Sequence, residues 1–184
     1  LDINQLEAGI VRPEIVVFPI DELLGTLRAE FTCHASLKGL VCRGVPSSAY
    51  VRSDPRLLEQ IIRNLLSNAV KYTAHGKILF GCRRRGDHLR IEVCDTGMGI
   101  PAEHLEAIFE EFHQIDNPAR ERSLGLGLGL AIVQRVASML GHAIDVRSRP
   151  GKGSTFSVEV PLARGKPAVW TKSGRQKAAV APTR

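Results

Sequence analysis

A chain of 184 residues, 43% hydrophobic and 24% charged, suits one compact domain with appendages. Its formal charge of +6 is local, because Arg164, Lys166, Lys172, Arg175, Lys177 and Arg184 follow the last acidic residue and leave residues 1–162 balanced. No basic-aromatic interleaving marks a nucleic-acid surface, and no apolar run approaches the roughly 20 residues of a membrane-spanning helix.

The chain opens at Leu1 with no secretory signal, so it reads as an excerpt of something longer. Residues 1–12 read as the last turns of a helix, stopped by Gly9 and Pro13. Residues 14–19 are a strand candidate. Asp21 is then expected to cap an amphipathic helix carrying Leu23, Leu24, Leu27 and Phe31, ending near Gly39. Short strands follow around 40–43 and 49–53. Ser53 or Asp54, with Pro55, starts a second helix running to about residue 73. Alternating runs at 77–85 and 88–94, split by Gly86-Asp87, predict a hairpin. Residues 97–123 read as loop with short helical pieces. A third helix covers about 129–140 and stops at Gly141, before a strand pair at 142–149 and 154–160. The order predicts an α+β fold with helices on one sheet face. Cys33, Cys42, Cys82 and Cys94 show no CxxC or metal-ligand spacing and are expected to be buried or half-buried reduced thiols. Cys82 and Cys94 fall on neighbouring strands.

Three stretches carry chemistry. On the second helix, Leu58, Ile62, Leu65, Leu66 and Ala69 form a core face, while Asn64, Asn68 and Lys71 make a polar stripe on another face. Such a stripe is usually a solvated face. Asparagine inside a helix is mildly unfavourable, however, and amide oxygens suit a hard cation while an ammonium suits phosphate. Next, Asp95-Thr96-Gly97-Met98-Gly99-Ile100-Pro101 follows a strand directly. A turn explains the glycines alone. A carboxylate, which accepts and does not donate, also suits the exocyclic amine of adenine and disfavours the carbonyl of guanine. Lastly, Gly125-Leu126-Gly127-Leu128-Gly129-Leu130 opens the third helix, a bare backbone at a helix N-terminus fit to cradle an anion or to act as a hinge. Gly151-Lys152-Gly153-Ser154-Thr155 mimics a P-loop fragment but lacks its upstream glycine and its Lys-Ser/Thr step.

Order and spacing bind these pieces together: Asn64-x-x-x-Asn68-Ala-x-Lys71-Tyr72, Asp95-x-Gly97-x-Gly99-Ile100-Pro, Phe109-Glu-Glu-Phe112, Gly125-x-Gly127-x-Gly129-Leu130-Ala, and Gly153-Ser-Thr155-Phe156. In this the chain resembles the catalytic ATP-binding domain of sensor histidine kinases, within the GHKL ATPase/kinase superfamily. The resemblance implies a two-layer α/β sandwich, with a mixed, mostly antiparallel sheet and three main helices on one face. It implies a catalytic ATP-binding domain at 13–162, preceded at 1–12 by the end of a dimerisation helix and followed at 163–184 by a basic flexible tail or linker. Asn68 would ligate Mg²⁺, with Asn64 and Lys71 beside the phosphates of ATP and Tyr72 by the nucleotide. Asp95 would bind the adenine amine, Gly97, Gly99 and Ile100 would shape that wall, and Thr155 would assist. Gly125, Leu126, Gly127, Leu128, Gly129 and Leu130 would wrap the phosphates as part of a lid over roughly 113–128, in which Arg120 and Arg122 lie and could reach the γ-phosphate.

Hydrolysing members of the superfamily carry Glu four residues before the Mg-binding Asn, where this chain has Asn64. A neutral amide cannot take a proton from water, which suits a kinase rather than an ATPase. Among His34, His75, His88, His104, His113 and His142, none is followed by Asp or Glu. The resemblance implies an acceptor histidine, usually followed by an acidic residue, on an upstream dimerisation helix, with a response regulator or fused receiver domain as the next partner. The resemblance also implies a cytoplasmic domain without direct membrane or nucleic-acid contact, whose parent can be anchored in the inner membrane. The competing readings are another GHKL kinase and a degenerate module that docks partners without phosphotransfer.

Overall fold

The computed structural model describes residues 11–110 and 128–163. The expected helix up to residue 10, most of the lid and the basic tail beyond Ala163 thus lie outside the described residues, while Val11 and Arg12 are not helical. Within them, the chain runs β1 (Val16–Pro19), α1 (Ile20–Leu37), β2 (Val41–Gly44), β3 (Tyr50–Ser53), α2 (Pro55–Tyr72), β4 (Lys77–Arg85) and β5 (His88–Asp95). Two 3₁₀ turns follow, Ala102–His104 and Ala107–Phe109, then α3 (Gly129–Leu140), β6 (Ala143–Arg149) and β7 (Gly153–Pro161). A five-stranded sheet has the order β2-β4-β5-β7-β6, and β1 pairs with β3 in a separate ribbon. Only the β2–β4 pairing in the larger sheet is parallel. The architecture is the expected α+β sandwich.

Strand alternation decides which face meets the helices. Ile78, Phe80, Leu89, Ile91, Val93, Phe156, Val158 and Val160 are buried at every second position of β4, β5 and β7. Against them α2 places Leu57, Leu58, Ile61, Ile62, Leu65, Leu66 and Ala69, all buried at helical spacing. α1 adds Ile20, Leu23, Leu24, Leu27 and Phe31. The opposite face carries charge, with Arg90 held among Glu92, Asp145 and Glu159.

Two expectations shift. Asp21 does not cap α1: Pro19 holds the N-cap position without a side-chain bond, and Asp21 lies in the first turn. Its carboxylate instead accepts the Ser47 N–H and faces Arg28, tying down the loop before β3. Cys33 is exposed rather than half-buried, while Cys42 is buried and Cys82 and Cys94 are intermediate. Cys82 faces Ile91 and Cys94 faces Leu79 across the β4–β5 ladder, so the two thiols are not opposite each other. Burial pushes the Cys82 thiol up to about 12, which keeps it protonated and inert.

α2 starts where Asp54 accepts the N–H groups of Arg56 and Leu57, with Pro55 in the first turn. The same buried carboxylate accepts the Glu14 N–H and thereby ties the entry of the chain to the helix. Asp54→Ala should cost about 1–3 kcal/mol in urea unfolding, from the lost cap and the orphaned amides. Asp54→Asn should recover most of it, and Arg56→Ala, whose side chain is exposed, should change little.

Behind α3, the ring Nε2 of His142 meets Ser53 Oγ at 2.8 Å in a buried pair. Burial holds His142 below the usual histidine range, opposed by the Gly141 backbone and reinforced by His88. Protonation therefore favours the unfolded chain. This contribution is complete above about pH 6.5 and is lost as pH falls below it toward the depressed folded value. Urea midpoints at pH 8 and pH 5.5 should fall further apart for the parent protein than for His142→Gln.

Candidate nucleotide site

The C-terminal half of α2, the end of β5, the following loop, the start of α3 and the start of β7 enclose a pocket. Together with the solvent at its open mouth it spans ≈ 670 Å³, and it is lined by Asn68, Ala69, Tyr72, Asp95, Met98, Gly99, Ile100, Ile108, Leu130, Ser154 and Phe156. Of these, Asn68, Tyr72, Asp95, Gly99, Ile100 and Leu130 are sequence-predicted site residues. The walls that sequence reasoning missed are Ala69, Met98, Ile108, Ser154 and Phe156. Four of the five are apolar, and nothing in composition separates a pocket wall from ordinary core.

At its deep end, Asp95 Oδ1 accepts the N–H groups of Gly97 at 2.8 Å and Ser154 at 3.3 Å. Oδ2 accepts no bond among the described residues, so one oxygen is held and the other is left for a guest. Burial raises the Asp95 carboxyl above its ordinary value, and the two amides pull the other way. The glycines around it are required by contact. A Cβ on Gly97 would strike the Tyr72 carbonyl and lie 2.8 Å from Asp95 Oδ1, while one on Gly99, at φ +73°, would strike the Arg149 carbonyl.

The polar stripe of α2 is not a solvated face. Asn64 and Asn68 are half-buried. A Cβ on Gly129 would lie 3.4 Å from Asn64 Oδ1 and 3.8 Å from Asn68 Oδ1, so the start of α3 packs directly on both amides. Asn64 Nδ2 donates to the Gln60 carbonyl, which directs its oxygen away from its own helix. The N-cap Leu128 makes no side-chain cap bond, so among the described residues no side chain caps the first turn of α3 where it packs on the stripe. Lys71 Nζ donates to Tyr72 Oη at 2.8 Å. Among the described residues no group of three His, Cys, Asp or Glu side chains could hold a metal. A hard cation would depend on the Asn68 amide oxygen and on oxygens that an anionic guest brings. An apolar slot with a carboxylate at its end, beside amides and a bare helix N-terminus, fits a purine joined to phosphates.

Thr155 is not brought to the pocket. Phe156 faces the core, so by alternation Ser154 shares its face and Thr155 turns to the opposite one, between Cys94 and Arg147. Counting two residues back from Phe156 would have found Ser154. Gly125, Leu126 and Gly127 lie outside the described residues, as do Phe112, Arg120 and Arg122. Phe109 packs on the core. Leu128 caps α3 and Gly129 begins it.

Over residues 53–164 the chain matches the family described as histidine kinase-, DNA gyrase B- and HSP90-like ATPase. It belongs to that family. Within the family it is 38% identical over 165 residues to the sensor histidine kinase RcsC of Escherichia coli K12, covering 88% of this chain and 17% of RcsC. It is 36% identical over 166 residues to the circadian input-output histidine kinase CikA of Synechococcus elongatus, with 88% and 22% covered. The chain thus spans about a fifth of the length of these relatives. Among solved structures, full-length ShkA in complex with AMPPNP aligns at a TM-score of 0.77 and 29% identity, over 90% of this chain and 35% of that one. The nucleotide-free catalytic domain of the histidine kinase ThkA aligns at 0.68 and 26%, over 80% and 95%. These matches bear out the fold class and the resemblance read from the five blocks. Among the described residues no helix is long and apolar enough to cross a membrane.

The raised carboxyl of Asp95 gives a prediction with a definite sign. The folded chain holds that proton more tightly than the unfolded chain, so ionisation above about pH 4 works against folding. Asp95→Asn keeps an Oδ1 to accept both amides and removes the buried charge. The variant should be at least as stable as the parent at pH 7.5 by urea unfolding, and its advantage should shrink as pH falls toward about 4.

Proposed function

We propose that this chain is the ATP-binding catalytic domain of a sensor histidine kinase. It holds Mg-ATP and presents the γ-phosphoryl group to a histidine on a dimerisation domain outside these residues, for relay to a response regulator or fused receiver domain. The observation that carries the reading is the juxtaposition of Asn64 and Asn68 with the uncapped start of α3, one pocket-length from Asp95. The ShkA complex with AMPPNP supports a nucleotide as the guest.

In this reading Asp95 Oδ2 accepts from the adenine amine while Tyr72, Met98, Ile100, Ile108 and Leu130 enclose the base. Gly97 and Gly99 let the backbone close around it. Asn68 offers its amide oxygen to Mg²⁺, which when bound supplies charge neutralisation among the phosphates. Lys71 and the first turn of α3 at Gly129 attract the phosphate oxygens, and Asn64 orients beside them. Gly125, Leu126, Gly127 and Leu128 are assigned to the phosphate lid by the resemblance. Asn64, being an amide, takes no proton from water, so the nucleotide is kept for transfer rather than spent on hydrolysis. Phosphoryl transfer asks mainly for positioning and charge neutralisation, both within the means of these groups. Ser154 replaces Thr155 as the hydroxyl beside the base. The domain works in the cytoplasm, where ATP is supplied.

Thermal unfolding tests the binding half. Mg-ATP at a hundredfold excess over Kd should add about 2.7 kcal/mol, a rise of about 5–10 °C for a domain of this size. The rise should be smaller with GTP and absent in Asp95→Asn. The transfer half is read by incubating the chain with labelled ATP and a separately supplied dimerisation domain bearing a histidine. Label should pass to that domain, Asn68→Ala should abolish the transfer, and the chain alone should release no phosphate. No rise in midpoint at millimolar Mg-ATP would refute the reading.

A further inference from the structure

Ser148, in β6, belongs to none of the five sequence blocks, yet its hydroxyl stands where three parts of the site meet. Ser148 Oγ accepts the Ile100 N–H at 2.8 Å, lies 3.0 Å from the Gly153 carbonyl and lies 2.9 Å from Ser154 Oγ. Ile100 and Ser154 both line the pocket, and Ser154 also sends its N–H to Asp95.

The direction of each bond follows from counting hydrogens. A serine hydroxyl has one hydrogen and two lone pairs. The Gly153 carbonyl only accepts, so it takes the Ser148 hydrogen. The Ile100 N–H only donates, so it takes one lone pair. The contact with Ser154 must then run inward, with Ser154 donating to the second lone pair of Ser148. Ser154 has spent its single hydrogen inside the protein, and its oxygen turns only lone pairs toward the pocket. Asp95 beside it presents Oδ2, which accepts no bond among the described residues, as a second acceptor.

We infer that Ser148 is a positioning residue that fixes the polarity of the Ser154 hydroxyl, so that the end wall of the pocket is acceptor-only and selects a 6-amino purine over a 6-oxo purine. The inference rests on the nucleotide reading above. A 6-amino group carries two N–H donors, one for each of two neighbouring acceptors, whereas a 6-oxo group sets lone pairs against both. A serine at 154 left to rotate would donate to the 6-oxo group and blunt the discrimination, because a hydroxyl reads either sign. Asp95 alone would then carry the choice.

Calorimetric titration of the intact chain with Mg-ATP and with Mg-ITP tests this, since the inosine base exchanges the 6-amino for a 6-oxo group, turns the neighbouring N1 from an acceptor into an N–H donor and adds no 2-amino group. In Ser148→Ala the ratio of ATP to ITP affinity should fall about tenfold, the scale of one hydrogen bond changing sign. Ser148→Thr, which keeps the hydroxyl, should restore it. Ser154→Ala deletes the oriented oxygen while leaving Ser148 its bonds to Ile100 and Gly153, and should weaken ATP severalfold more than ITP. A merely structural role would weaken both nucleotides together. An unmoved ratio in Ser148→Ala, or in Ser154→Ala if the former does not fold, overturns the inference while leaving the nucleotide reading in place. An intact chain that binds neither nucleotide overturns both.

Discussion

Everything in this site depends on three backbone segments being allowed to touch. The end of α2, the end of β5 and the β6–β7 hairpin converge so closely that a single added Cβ would block them. Gly97 leaves room for the Tyr72 carbonyl, and Gly99 for the carbonyl of Arg149. Gly153 does the same for the carbonyl of Asp95 and for Thr96 Cα. Interiors packed to crystal-like density transmit such a clash rather than absorb it. The glycines therefore set the distance between the helix that carries the amides and the strand that carries the carboxylate.

That convergence also explains why the carboxylate sits where it does. Burial disfavours the charge of Asp95, and two backbone amides recover part of the cost. A group kept at such a disadvantage is poised to gain from a donor placed on its remaining oxygen. In the proposed reading stability and binding pull in opposite directions at this position, as they commonly do where a fold keeps a polar group for use. The same logic extends outward through Ser154 to Ser148, where a chain of hydroxyls and amides fixes which way each hydrogen points.

Much of this was legible in the sequence because it is local. Asp54 before Pro55, Gly141 after α3 and Gly86-Asp87 between two alternating runs each fix an element boundary through a few neighbouring residues. The failures have physical causes. Asp21 had the right residue type for a cap, but its carboxylate found the Ser47 amide across a loop, a partner no local rule contains. Thr155 had the right chemistry and the wrong parity, and the burial of Phe156 decides that parity.

The amino-acid sequence by itself determined the order of elements, the core faces of the helices, and the residues whose spacing carries the family: Asn64, Asn68, Asp95, Gly97, Gly99 and Gly129. Those depend on periodicity and on which side chains can accept, donate or leave space, all properties of residues in order. Only the tertiary structure decided that the asparagine stripe is covered by α3 rather than by water. It also decided that Ser154 and not Thr155 meets the pocket, and that Ser148 governs both Ile100 and Ser154. The cover of α3 over the asparagines, the bond from Ser154 to Asp95 and that from Ile100 to Ser148 each span 48 or more residues of chain, set by sheet register and helix packing.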